Sequence, residues 1–181
     1  MEAVTAEPKT TGQTWTLDKA HAKVGFSITH MMISEIEGSF KTFDVKLDVP
    51  NDDFSDTSIE LTADVNSMDT QNEMRDGHLK KEDFFHADKF PTLNFKSTSF
   101  KKIDEKKYKL NGNLTMMGVT KPVELDVKGL VGKHPMNGKT IAGFKVTGTV
   151  KRSDFGMGSS FPGVALSNEV EINANAEFIK E

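Results

Sequence analysis

Five histidines, at positions 21, 30, 78, 86 and 134, are the side chains best suited to acid–base work or metal ligation. None falls in a His-x-x-x-His or His-Glu-x-x-His spacing that would turn two imidazoles toward one ion. The chain has no cysteine, which removes thiol nucleophiles, thiolate metal sites and disulfides. It also has no Gly-x-Ser-x-Gly elbow, phosphate loop or dinucleotide fingerprint. Neither catalysis nor a cofactor nor a metal is therefore expected. One route stays open in principle, a cluster of His30, His78 and a carboxylate from different strands, since spatial clusters do not show in spacing.

His30 is the most informative of the five. In "KVGFSITHMM" (23–32), Val24, Phe26, Ile28 and His30 share one parity while Lys23, Ser27 and Thr29 share the other. Successive side chains of an extended chain point to opposite faces, so His30 points where Phe26 and Ile28 point. Either it is a core histidine tied to a carbonyl or a nearby Asp, or that face lines something other than a solid core.

The same alternation runs through the chain. It recurs in Phe43 to Val49, Ile59 to Val65, Leu93 to Ser97, Leu110 to Met116, Val123 to Val127, Phe144 to Val150 and Val170 to Phe178. With residues 26–30 this makes eight strands, each apolar on one side only, the pattern of an antiparallel sheet. Turn chemistry at short spacing ("PNDDFSD", "KIDEKK", "MGVTKP", "GKHPMNGK") joins them. Closing into a barrel hides the edges of so many strands. The expected fold is all-β, an eight-stranded antiparallel barrel spanning residues 14–181 behind a polar leader at 1–13.

One segment breaks the period. "DTQNEMRDGHLKKEDFF" (69–85) carries a capping box, Thr70 with Glu73, and an Asp76–Lys80 pair. It predicts a short helix of at most about three turns, weakened by Gly77, with Phe84, Phe85 and Phe90 following as an aromatic cluster.

Charge narrows the partners. A net charge of −4 and a pI near 5.8 argue against nucleic acid, and no polybasic block suggests a membrane patch. No apolar run is long enough to span a bilayer. The polar leader fits a mature exported chain or a cytoplasmic one. Small residues on the apolar parity (Ala63, Ser97, Gly112, Gly148, Ala174, Ala176) either leave a cavity or fit the taper of a filled barrel.

Several stretches bear on that choice: "WTLDKAH" (15–21), "FSITH" (26–30), "GSFKTF" (38–43), "RDGHLKKEDFF" (75–85), "FPTLNFKST" (90–98), "NGNLTMMGVTKPV" (111–123) and "RSDFG" (152–156). In order and spacing, from Trp15 to Phe178, they resemble the YceI-like family of lipocalin-like proteins. Two positions depart from its common pattern: Ala22, where Ser is usual, and His86, where Asp is usual. The resemblance implies a lipocalin-like barrel, usually periplasmic or secreted and homodimeric, that holds a polyisoprenoid lipid such as an isoprenoid quinone in an internal tunnel. A fatty acid or fatty amide is the alternative cargo.

On that reading Phe26, Ile28, Phe40, Phe43, Leu61, Phe95, Leu114, Met116, Phe144, Val146, Val170 and Ile172 line the tunnel. His30, and Arg75 or His78 from the helix, are candidate head-group contacts; Arg75 and His78 could equally belong to a charge network that fixes the helix. Arg152 shares parity with Val150 and would need an anionic partner where it reaches inward. Phe84 either gates the tunnel or simply packs. The pairs Met31–Met32 and Met116–Met117 are read mostly as core, and Trp15 and His21 as the plug that orders the first strand.

Overall fold

Strands that are apolar on one side must turn that side away from water, and a sheet does so by curling on itself. The computed structural model describes residues 13–181 and shows this outcome. Ten antiparallel strands form one curled sheet: β1 (Trp15–His30), β2 (Ser34–Phe40), β3 (Phe43–Asp48), β4 (Ser58–Asp64), β5 (Met68–Asp69), β6 (Thr92–Lys102), β7 (Lys107–Met116), β8 (Val119–Lys133), β9 (Thr140–Lys151) and β10 (Leu166–Lys180). Their order is β3-β4-β6-β7-β8-β9-β10-β1-β2-β5.

The eight expected strands are all present, and two more join them. β2 adds Ile36, Gly38 and Phe40 to the inner face, and the two-residue β5 pairs with its end. The leader lies outside the described residues except for Gln13, which bridges to Val49 at the end of β3. That bridge, with β1 lying against β3, brings the two margins of the sheet together.

Two irregularities tune the faces. β6 carries a bulge at Thr98, between the pairs Ser97–Gly112 and Ser99–Asn111. The extra residue reverses parity, so Phe95 before it and Phe100 after it both point inward. Ser97 accepts a hydrogen bond from the Ile59 amide at 2.8 Å, where a ladder bond would otherwise be lost. In β1, residues Lys19, Ala20 and His21 lie between the pairs Asp18–Glu177 and Ala22–Ala176, as a second bulge.

The inner glycines do not hollow the sheet by themselves. A Cβ on Gly38 would lie 2.4 Å from the Phe26 ring, on Gly112 2.4 Å from the Phe95 ring, and on Gly148 2.3 Å from a Leu125 methyl. Each glycine is a seat on which a bulky neighbour lies flat, keeping that side chain along the wall instead of across the lumen.

The helix α1 (Glu73–Leu79) is shorter than three turns, and its cap differs from expectation. Asn72, not Thr70, is the N-cap, accepting from the Arg75 amide at 3.0 Å. Asp76 turns back to accept from the Thr70 hydroxyl (2.5 Å) and amide (2.9 Å), so it does not pair with Lys80. Met31 and Met32 are also not core: they form the tip of the β1–β2 hairpin with φ of 51° and 64°, and both are exposed.

The glycine seats make a stability prediction. Gly112→Ala places a methyl against the Phe95 ring and, at 2.6 Å, the Lys96 carbonyl, so it should cost about 1–3 kcal/mol in denaturant unfolding. Gly132→Ala, with nothing within 4 Å, should change stability by less than about 0.5 kcal/mol.

Candidate functional site: an apolar cavity with a basic mouth

The inward parity of ten strands does not fill the space it encloses. A cavity of about 660 Å³ remains, within the range of small-molecule sites. All sixteen residues singled out from the sequence border it: Phe26, Ile28, His30, Phe40, Phe43, Leu61, His78, Phe84, Phe95, Leu114, Met116, Phe144, Val146, Arg152, Val170 and Ile172. Ala174 and Ala176 border it too, so these two small residues do leave room.

One end is packed with rings. Phe144 and Phe178 lie 6.1 Å apart, Phe54 meets Phe144 edge-on at 5.3 Å, and Trp15 backs Phe54 at 5.3 Å. Phe100 stacks on Tyr108 at 4.7 Å, whose hydroxyl donates to the Asp53 carbonyl at 3.0 Å. Trp15 therefore orders the start of β1 as expected. His21 does not: it sits on the outer surface at the bulge, 63 % exposed.

His30, His78, Arg75 and Arg152 gather at the opposite end, where β1, β10, the loop 157–166 and α1 meet, while Lys23, Thr57 and Asn175 border the cavity elsewhere. His30 pairs with Leu166 through its backbone while its side chain is exposed at the rim, which removes the core-histidine alternative. His78 contacts Asp83 through Nε2 at 2.9 Å and stands edge-on to Phe84 at 5.2 Å. Phe84 in turn lies 5.3 Å from Phe161. Phe84 is buried and packed on these rings, as helix-to-sheet packing requires.

Arg152 needs no anion to be satisfied, contrary to expectation. It is 6 % exposed, in the 3-10 turn Arg152–Phe155 that follows β9. Its five N–H donors go to five backbone carbonyls: Ser167 (2.8 Å), Met157 (3.0 Å), Gly158 (2.8 Å), Leu166 (2.8 Å) and Phe161 (3.5 Å). The guanidinium thus folds the loop 157–166 around itself and shapes the mouth. Burial pulls its pKa below the ordinary arginine value, because no carboxylate is there to offset the lost water.

Arg75, the alternative to His78 as a head-group contact from the helix, borders the cavity one turn before it. The i, i+3 spacing of Arg75 and His78 was the available signal. Sequence reasoning left out Phe161 and Leu79, which lie in the loop and the helix and so carry no strand period.

Asp18, His21 and Glu177 are the set among the described residues whose ligand atoms lie within 4.8 Å of one another. They sit at the β1 bulge, and a His–Asp pair accounts for their geometry: His21 Nδ1 donates to Asp18 at 2.8 Å, with Glu177 at 3.7 Å. The Asp18 hydrogen bond, then the charges of Asp18 and Glu177, raises the imidazole pKa, and the same bond lowers that of Asp18.

Two measurements follow. An NMR titration should place His21 above the ordinary histidine value, and Asp18→Asn should bring it down. The protonated pair stabilises the fold below the unfolded histidine pKa, and that contribution is lost as pH rises through the raised folded value. Arg152→Met strands several buried carbonyls of the loop 157–166, and should cost about 2–4 kcal/mol in unfolding free energy.

Comparison with known proteins gives the same architecture a lineage. The YceI-like domain model matches residues 15–178. A UPF0312 protein of Staphylococcus aureus (strain N315) is 38 % identical over 169 residues, covering 91 % of this chain and 96 % of that one. The crystal structure of the Campylobacter jejuni YCEI protein superposes with a TM-score of 0.77 at 37 % identity, over 93 % of this chain and 99 % of that one. A polyisoprenoid-binding domain from Saccharophagus degradans, at 13 % identity and a TM-score of 0.65, covers 93 % of this chain and 99 % of its own and shares the fold. By the extent of the match and the identity to its relatives, this chain belongs to the YceI-like family.

Proposed function

We propose that this protein binds, and carries or stores, a polyisoprenoid lipid, with the tail in the cavity and the polar head at the mouth formed by His30, Arg75 and His78. The observation that carries this reading is the cavity itself, bordered mostly by apolar side chains, with His30, Arg75, His78 and Arg152 at its mouth. The polyisoprenoid-binding neighbour supports the tail class through the shared fold.

Magnitudes support the division of labour. Each tail CH₂ moved from water into the wall contributes about 0.8 kcal/mol. A single charge-assisted hydrogen bond at the head contributes about 1.5–3 kcal/mol. A tail of a dozen carbons therefore outweighs any one head contact: the wall retains the lipid and the mouth selects it. Such a role needs no covalent step.

Organic extraction of the purified protein followed by mass spectrometry should release an isoprenoid in stoichiometric amount. A fatty acid or fatty amide would keep the carrier and replace the tail class. Ala174→Phe should fill the lumen and abolish lipid retention while the circular dichroism spectrum stays unchanged. Retention equal to the parent's would falsify this assignment of the interior. Family membership also supports an exported homodimer; sedimentation should give a mass near twice 20.0 kDa, and a monomer would remove that part of the reading.

A further inference from the structure

Among the described residues the cavity is bordered by His30, Arg75, His78 and Arg152, and from the outer parity of β1 and β9 by Lys23 and Lys151, and by no aspartate or glutamate. Composition does not explain this, since Asp and Glu (27) outnumber Lys and Arg (23) in the chain. The carboxylates have been kept to the outer parity, and both arginines of the sequence have been brought to the cavity.

The two arginines do different things. Arg152 has committed every donor to the loop carbonyls, so it offers its field and not a contact. Arg75 donates from Nε to the Thr70 hydroxyl at 2.8 Å and from Nη2 to the Thr70 carbonyl at 2.5 Å. Among the described residues its Nη1 donors have no partner and neither guanidinium has a carboxylate within 4.0 Å. The acids near them are engaged elsewhere: Asp76 on Thr70, and Asp83 on His78. Asp76 and Arg75 share the Thr70 hydroxyl, which donates to one and accepts from the other, so the guanidinium is held in place by two bonds from one residue.

A half-buried cation at the edge of an apolar lumen, with no carboxylate beside it among the described residues, favours an anion over a neutral group as its partner. A neutral carbonyl head would use one donor and leave the charge uncompensated. We propose that the head of the bound amphiphile is an oxyanion, a carboxylate or a phosphate ester, received by the free Nη1 edge of Arg75 in the field of Arg152. This deepens the lipid-carrier reading and rests on it. Planar guanidinium is suited to both heads, since each presents two oxygens to its paired N–H groups.

The test compares matched tails: geranylgeraniol, geranylgeranyl phosphate and geranylgeranoic acid, each displacing the neutral dye N-phenyl-1-naphthylamine from delipidated protein. The phosphate, the acid or both should bind about tenfold or more tighter than the alcohol, the size of one charge-assisted hydrogen bond. Which of the two is preferred identifies the source of the oxyanion. In Arg75→Met the preference should collapse, the charged ligands falling to the level of the alcohol, and Arg75→Lys should restore part of it. Equal binding of all three to the parent protein overturns the oxyanion head and leaves the lipid carrier standing. So does a preference that survives in Arg75→Met. Binding of none of the three overturns the carrier reading as well.

Discussion

The whole enclosure depends on β1 being long enough to serve two partners along one edge. Its far edge pairs with β10 from Trp15 to His30, interrupted only by the bulge at residues 19–21 and a slip near His30. Its near edge meets β2 over Val24–His30, while the first half lies against β3 and the chain bridges Gln13 to Val49. A sheet with one face apolar is stable in water only when that face meets something, and here it meets itself. Without the junction around β1, the inner side chains of ten strands would face solvent.

Closure of that kind sets a circumference, and the circumference leaves more room than the side chains fill. The glycines at 38, 112 and 148 take up some of it by letting Phe26, Leu125 and Phe95 lie along the wall. The aromatic stack around Phe54, Phe144 and Phe178 closes one end tightly, with rings tilted or edge-on as their quadrupoles favour. The other end cannot be closed that way, because the loop 157–166 and α1 converge there on the ends of β1 and β10. Arg152 holds one of them, the loop 157–166, by taking five carbonyls that strand pairing cannot reach. A rigid apolar wall and a mouth organised by polar bonds are thus two consequences of the same closure.

Much of this was legible in the residues. The alternation of Val170, Ile172, Ala174, Ala176 and Phe178 states which face of β10 is inward, because a strand has only two. The same holds for β1, β3, β4, β7, β8 and β9. For β6 the alternation misleads past Ser97, since one bulged residue exchanges the faces and nothing local marks it. β2 was missed although Ile36, Gly38 and Phe40 alternate, because a glycine at the middle position weakens the pattern. The cap of α1 was misplaced by two residues: Thr70 and Asn72 are both good caps, and the contact of Thr70 with Asp76 and Arg75 decides between them.

The sequence by itself determined the antiparallel class, the inward face of seven strands and of β6 up to Ser97, the absence of cysteine chemistry and most of the wall of the cavity. Those properties follow from a period of two and from residue type, and both are local. Tertiary structure alone decided that Arg152 is satisfied by carbonyls, that His30 stands at a rim and not in a core, and that among the described residues no carboxylate borders the cavity while both arginines do. Each of these depends on which distant backbone atoms come within about 3 Å of a side chain, and hydrogen bonds act only over that range. Periodicity says which way a residue points; only closure of the sheet says what it finds there.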